Sequence, residues 1–192
     1  MRHDCHVHEA VCARVRIDAA ARAASVLEAD AGDAMTARAR QVACVSDAVV
    51  FADFDGVLND DEWLRRTAHE MNPERVYYLE MLCRRANASV VVASAWRCFT
   101  SLDDLRALLR RAGLTVPVLD AVGCDSGPDC GRAKHAALWL DAHPEVRRWV
   151  ALDDADPWKG PKWRGRVVMT DGAVGLTGAD AARALAILTE GR

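Results

Sequence analysis

Val49-Val50-Phe51-Ala52 is an unbroken apolar run, rich in β-branched and aromatic types, and it ends on Asp53-Phe54-Asp55-Gly56. Such a run predicts a buried strand. A buried strand has no structural use for a pair of carboxylates at its end. At the carboxyl end of a parallel strand, where open α/β sheets bind ligands, that pair can hold a hard cation and offer one oxygen as a nucleophile. Gly56 lets the chain turn away with no side chain over the site.

From Asp47 onward, strand patterns alternate with helix patterns. Strands are predicted at 48–53, 89–94, 116–119, 148–152 and 166–170, with a helix opening near Pro73 and others over 102–112, 132–142 and 179–188. Alternation of this kind predicts an α/β fold, a three-layer Rossmann-like parallel sheet flanked by helices, over residues 47–192. Residues 1–46 are rich in Ala and Arg and carry no strand pattern, so a helical or partly disordered extension is expected there, with a break at Gly32-Asp33. His3, Asp4, Cys5, His6, His8, Glu9 and Cys12 are metal-ligand types whose spacing matches no tight zinc pattern, which favours a frayed terminus. Met35 is an alternative start, with the preceding residues as an extension.

Composition narrows the function classes. A formal net charge of −3 gives no global basic field of the kind that advertises a nucleic-acid partner, although a local basic groove stays open. Seven cysteines, odd in number and scattered, predict reduced thiols in a cytoplasm rather than a disulfide framework. No apolar segment reaches the length of a signal peptide core or a membrane span, so a cytoplasmic protein with no membrane partner is expected.

Phosphoryl transfer to a carboxylate needs a nucleophile, a divalent cation, a cationic clamp and an acid for the leaving group. A candidate for each falls at the end of a predicted strand. Asp53 is the candidate nucleophile, and Asp55 points a second carboxyl over the same site. Ser94 ends the second strand with a hydroxyl that can bind a phosphoryl oxygen, and Arg97 follows as a bidentate clamp. Arg132 and Lys134 compete for the cation that neutralises the nucleophile. Asp153 and Asp154 close the fourth strand with a second acidic pair, which together with the first suits a Mg²⁺ site. Taken singly, each residue also has a plainer reading, as a turn cap or a solvated charge.

The segments Asp53-Phe54-Asp55-Gly56-Val57-Leu58-Asn59, Asn72-Pro73-Glu74, Ala93-Ser94-Ala95-Trp96-Arg97, Leu152-Asp153-Asp154, Thr170-Asp171 and Gly175-Leu176-Thr177 resemble the haloacid dehalogenase-like (HAD) phosphohydrolases over about residues 47–190. Within that superfamily they look most like the HAD domain of Swiss Army Knife RNA repair proteins. The resemblance implies an aspartyl-phosphate enzyme using Mg²⁺, with Asp53 phosphorylated and Asp55 as general acid/base with its carbonyl on the metal. It further implies Ser94 as phosphate ligand, Lys134 or Arg132 as the cation, and Asp154 on the metal with Asp153 supporting. Members acting on small metabolites usually carry a cap, whereas here Asp55 to Ser94 and Ser94 to Lys134 each span about forty residues, taken up by core elements. An open site suits a phosphorylated substrate with its own bulk, such as a nucleic-acid end, with Trp63, Trp96 and Trp158 beside Arg65, Arg66 and Arg97 as a stacking platform. Any repair partner would be a separate chain. The competing readings are a small-molecule or phosphoprotein phosphatase and an idle HAD-like binding module.

Overall fold

In the computed structural model, which describes residues 46–67, 70–125 and 130–190, every residue of strand β1 (Ala48–Ala52) is buried. β1 lies in the middle of a five-stranded sheet, order β3-β2-β1-β4-β5, with β2 Ser89–Val92, β3 Val118–Ala121, β4 Arg148–Asp153 and β5 Val167–Met169. All the pairings are parallel. The helices are α1 (Asp61–Arg66), α2 (Pro73–Ala86), α3 (Leu102–Arg111), α4 (Arg132–Ala142) and α5 (Gly178–Thr189). Side chains alternate faces along each strand, so the sheet supports two cores. Val50, Ala52, Val90, Val92 and Leu152 pack with Leu79 of α2, Leu105 of α3 and Leu188 of α5. On the opposite face, Val49, Phe51, Val91 and Ala151 pack with Ala136 and Trp139 of α4 and with Trp158 and Trp163. Helices on both faces of a parallel sheet are the three-layer arrangement expected from the alternation.

Strand order puts β2 and β3 on one side of β1 and β4 and β5 on the other. The connections therefore reverse direction between β1 and β4, and the loops leaving the carboxyl ends of these two strands part to form a crevice. Asp53 and Asp153 stand at that crevice.

Local chemistry sets the element ends. Asn72 caps α2 by accepting from the Glu74 amide at 3.0 Å, Pro73 sits in the first turn, and Asn87 ends the helix in the left-handed conformation. The third strand begins at Val118 rather than at 116. The amides of Thr115 and Val116 donate to the buried Glu80 carboxylate, at 2.8 and 3.1 Å, and so are spent before the ladder starts. Ser94 is not part of β2; it caps a 3₁₀ turn over Ala95–Cys98. Helix α1 has no sequence signature because none of its residues is buried, and an N-cap contact from the Trp63 amide to Asp60, 2.8 Å, marks its start.

The expected thiol state is overturned as well. Cys98, in the turn after β2, and Cys124, after β3, form a disulfide with Cα atoms 5.7 Å apart, where reduced thiols were predicted. Neighbouring parallel strands deliver their following loops to the same edge, which brings together cysteines 26 positions apart in the chain. The helical extension, its His and Cys cluster and the Met35 start all fall outside the described residues. No helix among the described residues is long and apolar enough to cross a membrane.

Candidate active site

β1 and β4 pair in register from Ala48 with Arg148 to Ala52 with Leu152, so the residues that follow, Asp53 just past β1 and Asp153 as the last of β4, stand side by side. The Asp53 amide completes the ladder by donating to the Leu152 carbonyl at 3.1 Å. Its Oδ1 accepts from the Phe54 amide at 2.7 Å, and its Oδ2 accepts from Nη1 of Arg132. The same Nη1 donates to Asp153 Oδ2. Arg132 opens α4, is buried, and bridges the two carboxylates from the helix start. Its Nε is buried without a hydrogen-bond partner. Trp158 Nε1 and the Ala155 amide also donate to Asp153, at 2.7 and 2.9 Å, which holds that side chain still.

Burial pushes the Asp53 carboxyl up to about 7, against the pull of Arg132 and with Asp153 and Asp55 adding to the rise. Asp154 is also raised, first by burial and then by the charge of Asp153. Burial works against the charge on Arg132, but Asp53 and Asp153 more than offset it and keep the guanidinium protonated.

Carboxylate oxygens of Asp53, Asp153 and Asp154 lie within 4.8 Å of one another. Two glycines make room for the third of these. A Cβ at Gly56 would stand 2.2 Å from Asp154 Cγ, and one at Gly172 would stand 2.9 Å from Asp154 Oδ2. An all-oxygen, anionic donor set fits a hard divalent cation such as Mg²⁺ and offers nothing to a soft one.

Asp55 is half-buried, two residues past Asp53. Its Oδ2 accepts from Trp96 Nε1 at 2.9 Å, and Asn59 Nδ2 reaches Oδ1 at 3.5 Å. The turn that carries it is closed by Gly56, at φ +75°, whose amide donates to the Asn59 carbonyl at 2.7 Å. Thr170, after β5, donates its hydroxyl to the Gly56 carbonyl at 2.8 Å and pins the turn from below. Ser94 is buried in the turn that follows β2, where its Oγ accepts from the Trp96 amide at 3.3 Å.

The structure thus gathers Asp53, Asp153, Asp154 and Arg132, and it sets Asp55 beside Asp53. Two expected residues lie elsewhere. Lys134 is exposed and pairs with Asp125 at 2.7 Å, so of the two candidate cations Arg132 is the one at Asp53. Arg97 was expected to clamp phosphate, but its guanidinium donates to the carbonyls of Ala93, Ser94, Val122, Gly123 and Cys130 and binds two loops together. The stacking platform is corrected as well. Trp158 is only 4% exposed and packs in the second core, Trp96 is directed at Asp55, and Trp63 Nε1 donates to the Glu70 carbonyl at 2.8 Å. Trp158 as the donor to Asp153 and Gly172 as the space for Asp154 were missed. Neither has a signal in one dimension, since both depend on how loops after different strands meet.

The family described as the HAD domain in Swiss Army Knife RNA repair proteins matches residues 49–181. No curated protein and no solved structure matches the chain.

Proposed function

From the premise that the chain belongs to the HAD-domain family of Swiss Army Knife RNA repair proteins, we infer that it is a Mg²⁺-dependent phosphohydrolase working through an aspartyl-phosphate, on phosphorylated nucleic-acid ends. The observation that carries the reading is the buried bridge of Arg132 between Asp53 and Asp153, next to Asp154 and Asp55. A structural ion pair would need one carboxylate. Three carboxylates crowded around one guanidinium leave excess negative charge, which is costly in a buried place unless a cation also binds there.

In this reading Asp53, Asp153 and Asp154 hold Mg²⁺, which supplies positive charge against the phosphoryl oxygens. The Asp53 carboxylate attacks phosphorus from the end of β1, a position its Phe54 contact fixes. Ser94 donates its hydroxyl to a phosphoryl oxygen, and Arg132, paired with Asp53 and Asp153, supplies fixed positive charge beside the attacking carboxylate. Asp55, held by Trp96, gives a proton to the departing ester oxygen and then takes one from the water that cleaves the aspartyl-phosphate. Two features favour a large substrate. No folded cap covers the crevice among the described residues. A cleft of about 460 Å³ opens beside the start of α4, with Lys134, Lys159 and Lys162 around an apolar floor of Pro161 and Trp163. Lysines over an apolar floor suit a phosphate backbone and its bases.

The test is a hydrolysis screen of the purified full chain, with and without Mg²⁺, against 3′-phosphorylated and 5′-phosphorylated oligonucleotides, mononucleotides and an aryl phosphate. Mg²⁺-dependent release of phosphate, fastest from an oligonucleotide, is expected. Release from mononucleotides or aryl phosphate alone would favour a small-molecule phosphatase, and no release by the wild type on any substrate would overturn the reading.

A further inference from the structure

The sulfurs of Cys98, Cys124 and Cys130 lie within 4.8 Å of one another. Cys98 and Cys124 are bonded, and Cys130 is a free thiol beside them. Cys130 has φ +51°, a left-handed conformation that a residue with a Cβ adopts only at an energetic cost. Its carbonyl is what holds it there, accepting from Arg97 Nη2 at 2.7 Å and from the Asp125 amide at 3.2 Å. The surroundings thus fix a thiol next to a disulfide at a backbone cost. Cys98 lies two residues after Trp96, the donor to Asp55, and Cys130 lies two residues before Arg132, the bridge to Asp53. Cys124 is the exposed member.

We propose that Cys98, Cys124 and Cys130 form a thiol–disulfide exchange site that couples the phosphohydrolase site to dithiol and disulfide reagents. In the exchange, the Cys130 thiolate attacks Cys98 Sγ. A Cys98–Cys130 bond forms as the Cys98–Cys124 bond breaks, and the electron pair leaves on Cys124, which takes from water the proton that Cys130 gave up. This step is redox-neutral. Reduction needs an external dithiol, which loses two electrons and two protons to become a disulfide while the protein gains two thiols. The exposed Cys124 sulfur is where such a reagent reaches the bond. Pairing Cys98 with Cys124 ties the Trp96 turn to the loop after β3. Pairing it with Cys130 ties the same turn to the start of α4, and reduction releases both.

Coupling to turnover rests on the functional reading above, whereas the exchange does not, and the experiment separates them. The full chain is equilibrated with oxidised glutathione, quenched in acid, alkylated and mapped by peptide mass spectrometry. Wild type should contain both Cys98–Cys124 and Cys98–Cys130 peptides, Cys130→Ser only the first, and Cys124→Ser only the second. If Cys124→Ser, with Cys124→Ala as a second variant and a cooperative melt as the folding control, leaves Cys98 and Cys130 both alkylated, the exchange site is overturned. For coupling, dithiothreitol should lower kcat on an aryl phosphate several-fold in the wild type, with recovery on reoxidation. Equal turnover in both states would overturn the coupling. No hydrolysis in either state would count against the phosphohydrolase reading, while the peptide map decides the exchange site on its own.

Discussion

Asp53 is a buried carboxylate whose charge must survive where burial opposes it. In the proposed mechanism the attacking form is the ionised one, and the group is raised to about 7. At low Mg²⁺, kcat/KM should therefore rise with pH through about 7. A bound cation favours the ionised form, so saturating Mg²⁺ should move that rise to lower pH; profiles at several Mg²⁺ concentrations check it, and a rise that stays put would separate the metal from Asp53. The sign for stability is opposite to the usual carboxylate. An Asp raised in the fold contributes stability that is present below its unfolded value of 3.8 and is lost as pH rises toward about 7. Asp53→Asn should therefore show a smaller fall in Tm than the wild type between the two limits, in Mg²⁺-free buffer. Its turnover should drop by on the order of 10⁴-fold, as expected for loss of a nucleophile. Arg97 has the reverse profile to the one its position in the sequence suggests. Arg97→Ala strips partners from carbonyls in two loops, and its first effect should be a lower Tm rather than weaker phosphate binding.

At the scale of elements, the site is supported from the second core. Phe51 of β1 is fully buried and meets Trp139 of α4 and Trp163 edge to face, with ring centroids 5.8 and 5.7 Å away. Phe51→Ala should cost about 3–5 kcal/mol, measurable by urea denaturation. Trp158 also packs there while its Nε1 holds Asp153. Trp158→Phe keeps most of the ring and deletes the donor, which should cost about 1.5–3 kcal/mol for a hydrogen bond to a charged group. It should also weaken Mg²⁺ stabilisation of the fold, because Asp153 loses an orienting contact; an unchanged Mg²⁺-induced Tm shift would argue against that role. Strands β1, β2 and β4 and helices α2 to α5 are legible in the sequence because burial writes an apolar pattern into them. Helix α1 buries nothing and leaves no pattern. The offset of β3 comes from Glu80, a residue on another element that takes the amides of Thr115 and Val116.

For the molecule as a whole, the proposed function gives the lysine-rimmed cleft, which begins at Gly131 beside Arg132, the part of holding the body of the substrate while its phosphate sits in the crevice. If an oligonucleotide lies along both, remote binding energy is available to it and not to a mononucleotide. Catalytic efficiency should then be much higher on a phosphorylated oligonucleotide end than on the matching mononucleotide, and it should fall more steeply with salt. Lys159→Glu with Lys162→Glu should shrink that preference and leave aryl phosphate hydrolysis near the wild-type rate, since these lysines pair with Asp156 and Asp141 rather than with Asp53, Asp153 or Asp154. Equal efficiency on both substrates with equal salt dependence would remove the nucleic-acid reading.

Apolar strand runs alternating with helix patterns from Asp47 onward were enough to determine a parallel α/β sheet, and the acidic pairs at Asp53 and Asp55 and, about a hundred residues later, at Asp153-Asp154 singled out the acidic residues at its edge. Strand burial and strand-end chemistry are local in sequence, so both can be read without coordinates. Which cation faces Asp53 was decided by the tertiary structure, because Arg132 and Lys134 are two positions apart at the start of α4 and only docking of that helix on Phe51 determines which one turns inward. The same holds for Arg97, Trp158 and the three cysteines. Their partners are carbonyls, carboxylates and sulfurs delivered by other loops, and loop proximity is a property of strand order rather than of any segment.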